Sequence, residues 1–116
     1  CCHNGDLVKA EQSLYYVPYD FDLAGIVNAK YAYPAPQLRI RKVTQRLYRG
    51  LCLSDAALHH AVQHILAKRE ETLELINALP GLSGKDASRT TQYLESFYQQ
   101  AQDTDAVLAL FKKSCL

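Results

Sequence analysis

The sequence contains no methionine and no uninterrupted apolar run of the roughly 18 residues that a membrane-spanning helix requires. It also lacks the basic and then apolar segments of a secretory signal peptide. We therefore expect no membrane span in these 116 residues. Because the chain opens directly on a cysteine pair, we interpret it as the C-terminal part of a longer protein. The localisation is left open, and export to the periplasm is an alternative if that protein carries a leader.

Cys-x-x-Cys pairs are absent as well, and the spacing of the cysteines does not match a metal-finger pattern. The four cysteines are Cys1, Cys2, Cys52 and Cys115. Buried thiols and long-range disulfides are both compatible with this spacing. Buried thiols are the favoured interpretation, and one bridge in an exported protein is the alternative.

Acidic residues are missing from residues 23 to 53, although that segment holds six bases. The first 22 residues hold four acids and one base. Such a basic block can bind phosphate or an acidic partner, or it can be only a solvated cationic face. The net charge of the whole chain is +1, and we expect no nucleic-acid partner.

The first 22 residues have the pattern of a β-hairpin. The stretches DLVKA and SLYYVPYDF are rich in Leu, Val and Tyr, and the polar EQS separates them. Pro18 lacks an N–H, so we place it at an edge or at the end of the second strand. The residues from Tyr19 to Asp22 then form the strand exit.

Residues 23 to 53 are predicted to be mostly irregular and basic. Pro34 and Pro36 each bias the preceding residue to an extended backbone, which disfavours a helix. The alternation in LRIRKV predicts a short edge strand. TQRLYRGLCL predicts a turn of helix that ends at Gly50.

From Ser54 onwards, residues 54 to 116 have a helical period. Ser54 is a natural N-cap, and apolar residues recur at spacings of three and four until Pro80-Gly81. This predicts one long helix, or two with a break near Arg69. The stretch SGKD predicts the start of another helix, and Asp103 or Thr104 predicts the cap of a last one.

These patterns predict an α+β fold. An N-terminal β-hairpin (1–22) and an irregular basic segment (23–53) would pack on a helical unit of three to four helices (54–116). The chain is then a single domain of 116 residues.

Asn4, Asp20 and Asp22 flank the predicted hairpin and are the candidate site. Two antiparallel strands joined by a tight turn bring their outer ends together, so Asn4 should lie near the two carboxylates. Amide and carboxylate oxygens are hard ligands that suit Mg²⁺ or Mn²⁺ bridging nucleotide phosphates. Protein kinases divide the same task between an Asn and the DFG Asp.

The stretches HNG and VPYDFDLAG resemble part of the C-lobe of atypical kinase-like folds, of the kind seen in the spore-coat kinase (CotH) and HipA families. VPYDFDLAGIVNAKYA, followed by VTQRLYRGLC, is also similar to the C-terminal part of a bacterial protein family related to those kinases. The similarity covers roughly residues 1 to 53, and the later helices match only in general pattern.

The resemblance implies a phosphotransferase that uses Mg²⁺ (or Mn²⁺) and ATP. Asn4 would be the metal-binding asparagine and Asp20 the DFG aspartate, with Asp22 as the alternative. The catalytic Asp is expected upstream of Cys1, and no glycine-rich loop or nucleotide-gripping lysine is present. The partners would be a nucleotide, an unknown phosphoacceptor and the remainder of the parent chain, and we expect this chain alone to be inactive.

Four arginines follow the acidic pair where a kinase has its activation segment: Arg39, Arg41, Arg46 and Arg49. They can contact substrate phosphate or acidic side chains, or clamp the hairpin acids structurally. In the alternative function, Asp20 caps a turn and Asp22 pairs with an arginine. The chain is then a non-catalytic interaction module with an arginine-rich docking surface.

Overall fold

A computed structural model describes residues 4 to 116 and confirms the predicted α+β class. The chain divides into two compact units, one ending at Gln45 and the other spanning Arg46–Leu116. The first unit holds β1 (Gly5–Ala10), β2 (Ser13–Pro18) and a short 3₁₀ helix (Pro36–Leu38); the second holds α1 (Asp55–Ala67), α2 (Arg69–Ala78), α3 (Gly84–Ala101) and α4 (Thr104–Ser114). Within residues 4 to 116, no helix combines the length and hydropathy needed to cross a membrane.

The hairpin forms where the two runs rich in Leu, Val and Tyr predict it. Its strands are antiparallel and pair from Gly5 with Pro18 to Ala10 with Ser13. Glu11 and Gln12 form the two-residue turn, and Glu11 has a φ of 54°. Pro18 is the last residue of β2, as its missing N–H predicts.

The segment between the hairpin and α1 differs from two expectations. LRIRKV is not a strand, because Leu38 ends the 3₁₀ helix and Arg39 has a left-handed φ of 53°. TQRLYRGLCL is not helical either. Its backbone instead exchanges hydrogen bonds with the end of the chain, from Leu116 N to Gly50 O at 2.9 Å and from Cys52 N to Leu116 O at 3.3 Å.

Of the two alternatives for residues 54 to 79, one long helix or two with a break near Arg69, the structure has the second. The Ser54 side chain accepts a backbone N–H in the first turn of α1. The chain departs from helical geometry at Lys68, which has φ −94° and ψ 7°. After α2 the Pro80-Gly81 pair prevents continuation, and Gly81 has a φ of 80° that favours glycine.

Helices α3 and α4 begin at side-chain caps. Ser83 accepts the backbone N–H of Asp86, and Asp103 accepts that of Ala106. Of the two predicted caps for the last helix, the structure therefore uses Asp103 rather than Thr104.

The core of the second unit lies between α1, α3 and α4. Its buried members are Leu58, Val62, Ala101, Val107 and Leu108. Tyr48, Leu66, Phe97 and Phe111 pack against them. The core thus includes Tyr48, from the irregular residues that precede Ser54, so the helical unit begins earlier than its first helix.

A disulfide joins Cys52 and Cys115, with a Cα–Cα distance of 5.1 Å. The favoured interpretation of these two cysteines as buried thiols is therefore wrong, and the bridge alternative holds for them. The bond ties the segment before α1 to the residue that follows α4. Cys1 and Cys2 lie outside the described residues.

Candidate functional site

Asn4 and Asp20 meet at the open end of the hairpin. Beyond the last strand pair, the backbone N–H of Tyr19 donates to the carbonyl of Asn4 at 2.9 Å. The Asn4 side-chain amide then donates through Nδ2 to the carbonyl of Asp20 at 2.8 Å. Antiparallel pairing therefore brings together residues that are 16 apart in sequence.

Gly5, the residue after Asn4, lies against the side chain of Tyr16. It is the buried residue of β1, and a Cβ at this position would overlap the ring of Tyr16. The glycine lets that ring lie across the backbone next to Asn4. The neighbouring strand positions, by contrast, are exposed.

Asp20 has an unusual backbone conformation, with a φ of 57°. Aspartate is one of the few residue types that adopt this left-handed region, although at a cost of order 1 kcal/mol. The Asn4 side chain bonds the carbonyl of this same residue, which helps to hold the conformation. Directly after Asp20 the chain forms a turn, in which the backbone N–H of Ala24 donates to the carbonyl of Phe21 at 2.9 Å.

Asp22 contacts Tyr31, a residue that the sequence did not single out. A hydrogen bond from the Tyr31 hydroxyl to the Asp22 carboxylate, together with the charge of that carboxylate, raises the pKa of Tyr31 above its ordinary value. The charge of Asp20 adds a smaller contribution in the same direction. Both carboxylates therefore act on one hydroxyl, with Asp22 half-buried and Asp20 exposed.

These contacts define the hairpin-end cluster as Asn4, Asp20, Asp22 and Tyr31. Within residues 4 to 116, no group of three or more His, Cys, Asp or Glu side chains is arranged to hold a metal ion. The cluster offers two carboxylates and one amide. That set suits Mg²⁺, which is usually held by one or two carboxylates while phosphate oxygens and waters supply the remaining ligands.

The four predicted phosphate-contacting arginines do not share one unit. Arg39 and Arg41 belong to the first unit, and Arg46 and Arg49 to the second. Arg39, Arg41 and Arg49 are exposed, and none of them forms an ion pair within residues 4 to 116.

Arg46 is engaged within the second unit. Its Nη2 donates to the carbonyl of Tyr93 and to Ser96 Oγ, the latter at 2.9 Å. The guanidinium also lies 4.2 Å from the centroid of the Tyr93 ring. The structure therefore gives Arg46 a packing role on α3 that its place in a run of arginines did not indicate.

Comparison with protein-family models, curated proteins and solved structures found no match to this chain.

Proposed function

We propose that this chain is part of the C-lobe of an atypical kinase-like phosphotransferase that binds Mg-ATP. The observation that carries the proposal is the hydrogen bond of 2.8 Å from the Asn4 side chain to Asp20, across the open end of a hairpin. This bond holds the Asn4 amide against the backbone of an acidic residue. The two residues follow the order asparagine, hairpin, aspartate, and kinases hold their metal ions with an asparagine and an aspartate in this order.

Asp20 is the first choice for the metal-binding carboxylate. In the stretch DFD it stands where the kinase DFG motif has its aspartate, and Asn4 bonds its backbone carbonyl. Asn4 would supply its amide oxygen, because Nδ2 is already used as a donor. Asp22 would orient the turn or serve as the second carboxylate.

A bound Mg²⁺ would neutralise phosphate charge at this site. The contribution of the chain itself is to hold the three side chains in place before the nucleotide arrives. These 116 residues contain no glycine-rich loop. Without such a phosphate clamp and a catalytic base, we expect metal-nucleotide binding by this chain but no phosphoryl transfer.

Mn²⁺-ATP titrations followed by NMR test the metal site, because a bound Mn²⁺ broadens nearby amide resonances. We expect selective broadening at Asn4, Gly5 and residues 19 to 22, and loss of this selectivity in Asp20→Asn. Glu11→Gln is the matched control, since it removes a carboxylate at the opposite end of the same hairpin. Equal broadening in Asp20→Asn, Asp22→Asn and Glu11→Gln would contradict the proposal.

Asp20→Asn and Asp22→Asn are then tested in the full-length protein, where Mg-ATP binding is measured by calorimetry and phosphoryl transfer with radiolabelled ATP. Loss of both activities in Asp20→Asn is the expected result. Binding and transfer that survive in both variants would exclude these carboxylates from the site.

The second candidate function is a non-catalytic interaction module. The observations that favour it are the structural contact between Asp22 and Tyr31 and the exposure of Arg39 and Arg41. In that case Arg39→Glu with Arg41→Glu abolishes capture of an acidic probe such as polyglutamate, whereas Asp20→Asn changes only stability. Metal-selective broadening that depends on Asp20 distinguishes the kinase-like function from this one.

A further inference from the structure

The second unit contains a cavity of about 340 Å³ between its irregular N-terminal residues and helices α3 and α4. Its apolar walls include Tyr48, Phe97, Val107, Leu110 and Phe111. The rings of Tyr48 and Phe111 are stacked, with centroids 4.4 Å apart. A volume of this size and an aromatic lining are typical of small-molecule sites.

The charged residues that line the cavity are both positive. Arg46 and Lys113 line it, together with Gln100 and Ser114, and no acid does. Within residues 4 to 116, neither cation forms an ion pair. The next lysine, Lys112, is paired with Asp55 at 2.7 Å. The cavity thus has two cations without counter-ions beside an apolar interior.

Arg46 is held in place before any ligand binds. Its Nη2 is bonded to Ser96 and Tyr93, and its charge lies over the Tyr93 ring. A guanidinium has five N–H donors, of which Nη2 carries two. The hydrogen bonds that Arg46 donates within residues 4 to 116 all come from Nη2, so the donors of Nε and Nη1 are available to an anion.

We propose that this cavity binds a small amphipathic carboxylate. The apolar body would lie against Phe97, Leu110 and Phe111, and the carboxylate would lie between Arg46 and Lys113. At about 30 Å³ for each water-sized group, the cavity accommodates about eleven such groups. A medium-chain fatty acid or an aromatic acid has this size. The site is independent of the hairpin-end cluster and of its function.

Octanoate is the probe, and octanol and octylammonium are its neutral and cationic counterparts. Binding is followed by NMR on the methyl groups of Val107 and Leu110 in the full chain. We expect octanoate to bind at least tenfold more tightly than octanol, and octylammonium to bind most weakly. Added salt should reduce the preference for octanoate, because it screens the two cations.

Substitutions locate the site. Lys113→Gln should weaken octanoate binding about three- to fivefold, as expected for an exposed ion pair, and leave octanol binding unchanged. Lys112→Gln is the matched control, since it removes the neighbouring charge but does not line the cavity. Leu110→Trp should fill the cavity and abolish binding of both molecules. Because Leu110 is 49% exposed, this replacement should leave the fold intact, as circular dichroism will show.

Three results would overturn the proposal. The first is equal affinity for octanol and octanoate, which would show that the cavity is only an apolar pocket. The second is an equal loss of octanoate affinity in Lys113→Gln and Lys112→Gln, which would indicate only a general attraction to positive charge. Finally, the free protein can show cross-relaxation between Leu110 and the hairpin, or self-association that Leu110→Trp abolishes, in which case protein rather than a small ligand covers the cavity.

Discussion

Removal of the disulfide between Cys52 and Cys115 should destabilise the helical unit by about 4 kcal/mol. The bond joins residues that are 63 apart. In the chain-entropy model, a crosslink lowers the entropy of the unfolded chain by about 2.1 + 1.5R ln n cal/mol/K, where n is the loop length. For this loop the loss is about 14 cal/mol/K, which is about 4 kcal/mol at 25 °C. That is a large share of the stability of a small domain.

The measurement compares Cys52→Ser/Cys115→Ser with a reference protein that keeps both cysteines. Cys1 and Cys2 are replaced by serine in both proteins, so that no other thiol can exchange with the bridge. Urea unfolding is followed by far-ultraviolet circular dichroism. The m value should rise in the variant, because an unfolded chain without the crosslink exposes more surface. If the variant is already unfolded without urea, trimethylamine oxide is added to restore a measurable transition.

The reference protein treated with a phosphine reductant separates loss of the bond from the effect of the two serines. Both routes should give the same destabilisation within about 1 kcal/mol. A loss below about 1 kcal/mol in both would refute the entropic reasoning. Alkylation of Cys52 and Cys115 in the untreated native protein, detected by mass spectrometry, would refute the bridge itself.

Three further predictions concern a titration, a cap and the core. Asp22→Asn should lower the pKa of Tyr31 towards its ordinary value, measured by ultraviolet difference titration against Tyr31→Phe; an unchanged pKa would exclude the contact. Because the folded pKa is raised, the contribution of this contact to stability is complete below the unfolded pKa of about 10 and is lost as pH rises through the folded value. Ser83→Ala should cost about 1 kcal/mol in urea unfolding, whereas Ser83→Gly should cost only a few tenths. Leu58→Ala should cost about 2–5 kcal/mol, and the control Leu75→Ala, at a 62% exposed position, should cost far less; equal losses would contradict the assigned core.

Local signals in the sequence were sufficient for the regular elements. The hairpin follows from two β-prone runs around a polar turn, and the starts of α1 and α3 follow from Ser54 and Ser83. Each of these signals acts within a few residues of the backbone that it affects, so that neighbouring sequence alone reveals it.

The irregular segment was predicted less well, because its conformation depends on distant partners. LRIRKV alternates apolar and basic residues like a strand, but a strand forms only when it pairs with another strand. In the described residues the only strands are β1 and β2, which pair with each other. Residues 50 to 52 are instead bonded to Leu116 at the far end of the chain. No spacing in the sequence indicates that pairing.

The candidate site shows the same division. Antiparallel pairing predicts that Asn4 and Asp20 lie at the same end of the hairpin, whereas the bond from the Asn4 amide to the Asp20 carbonyl also depends on the left-handed backbone of Asp20. The hydrogen bond between Tyr31 and Asp22 depends on the turns of the chain between these two residues, and no pattern in the sequence predicts those turns.

The sequence by itself determined the α+β class, the hairpin and the helix caps, since each depends on local backbone chemistry, on β-prone runs or on helical periodicity. It also predicted that Asn4 lies near Asp20. Only the tertiary structure decided that Cys52 bonds Cys115, that Arg46 packs on Tyr93 rather than joining the other arginines, and that an apolar cavity lies beside it. Those features join residues about 50 or more apart in sequence, and such contacts arise from the packing of whole elements, which no local pattern encodes.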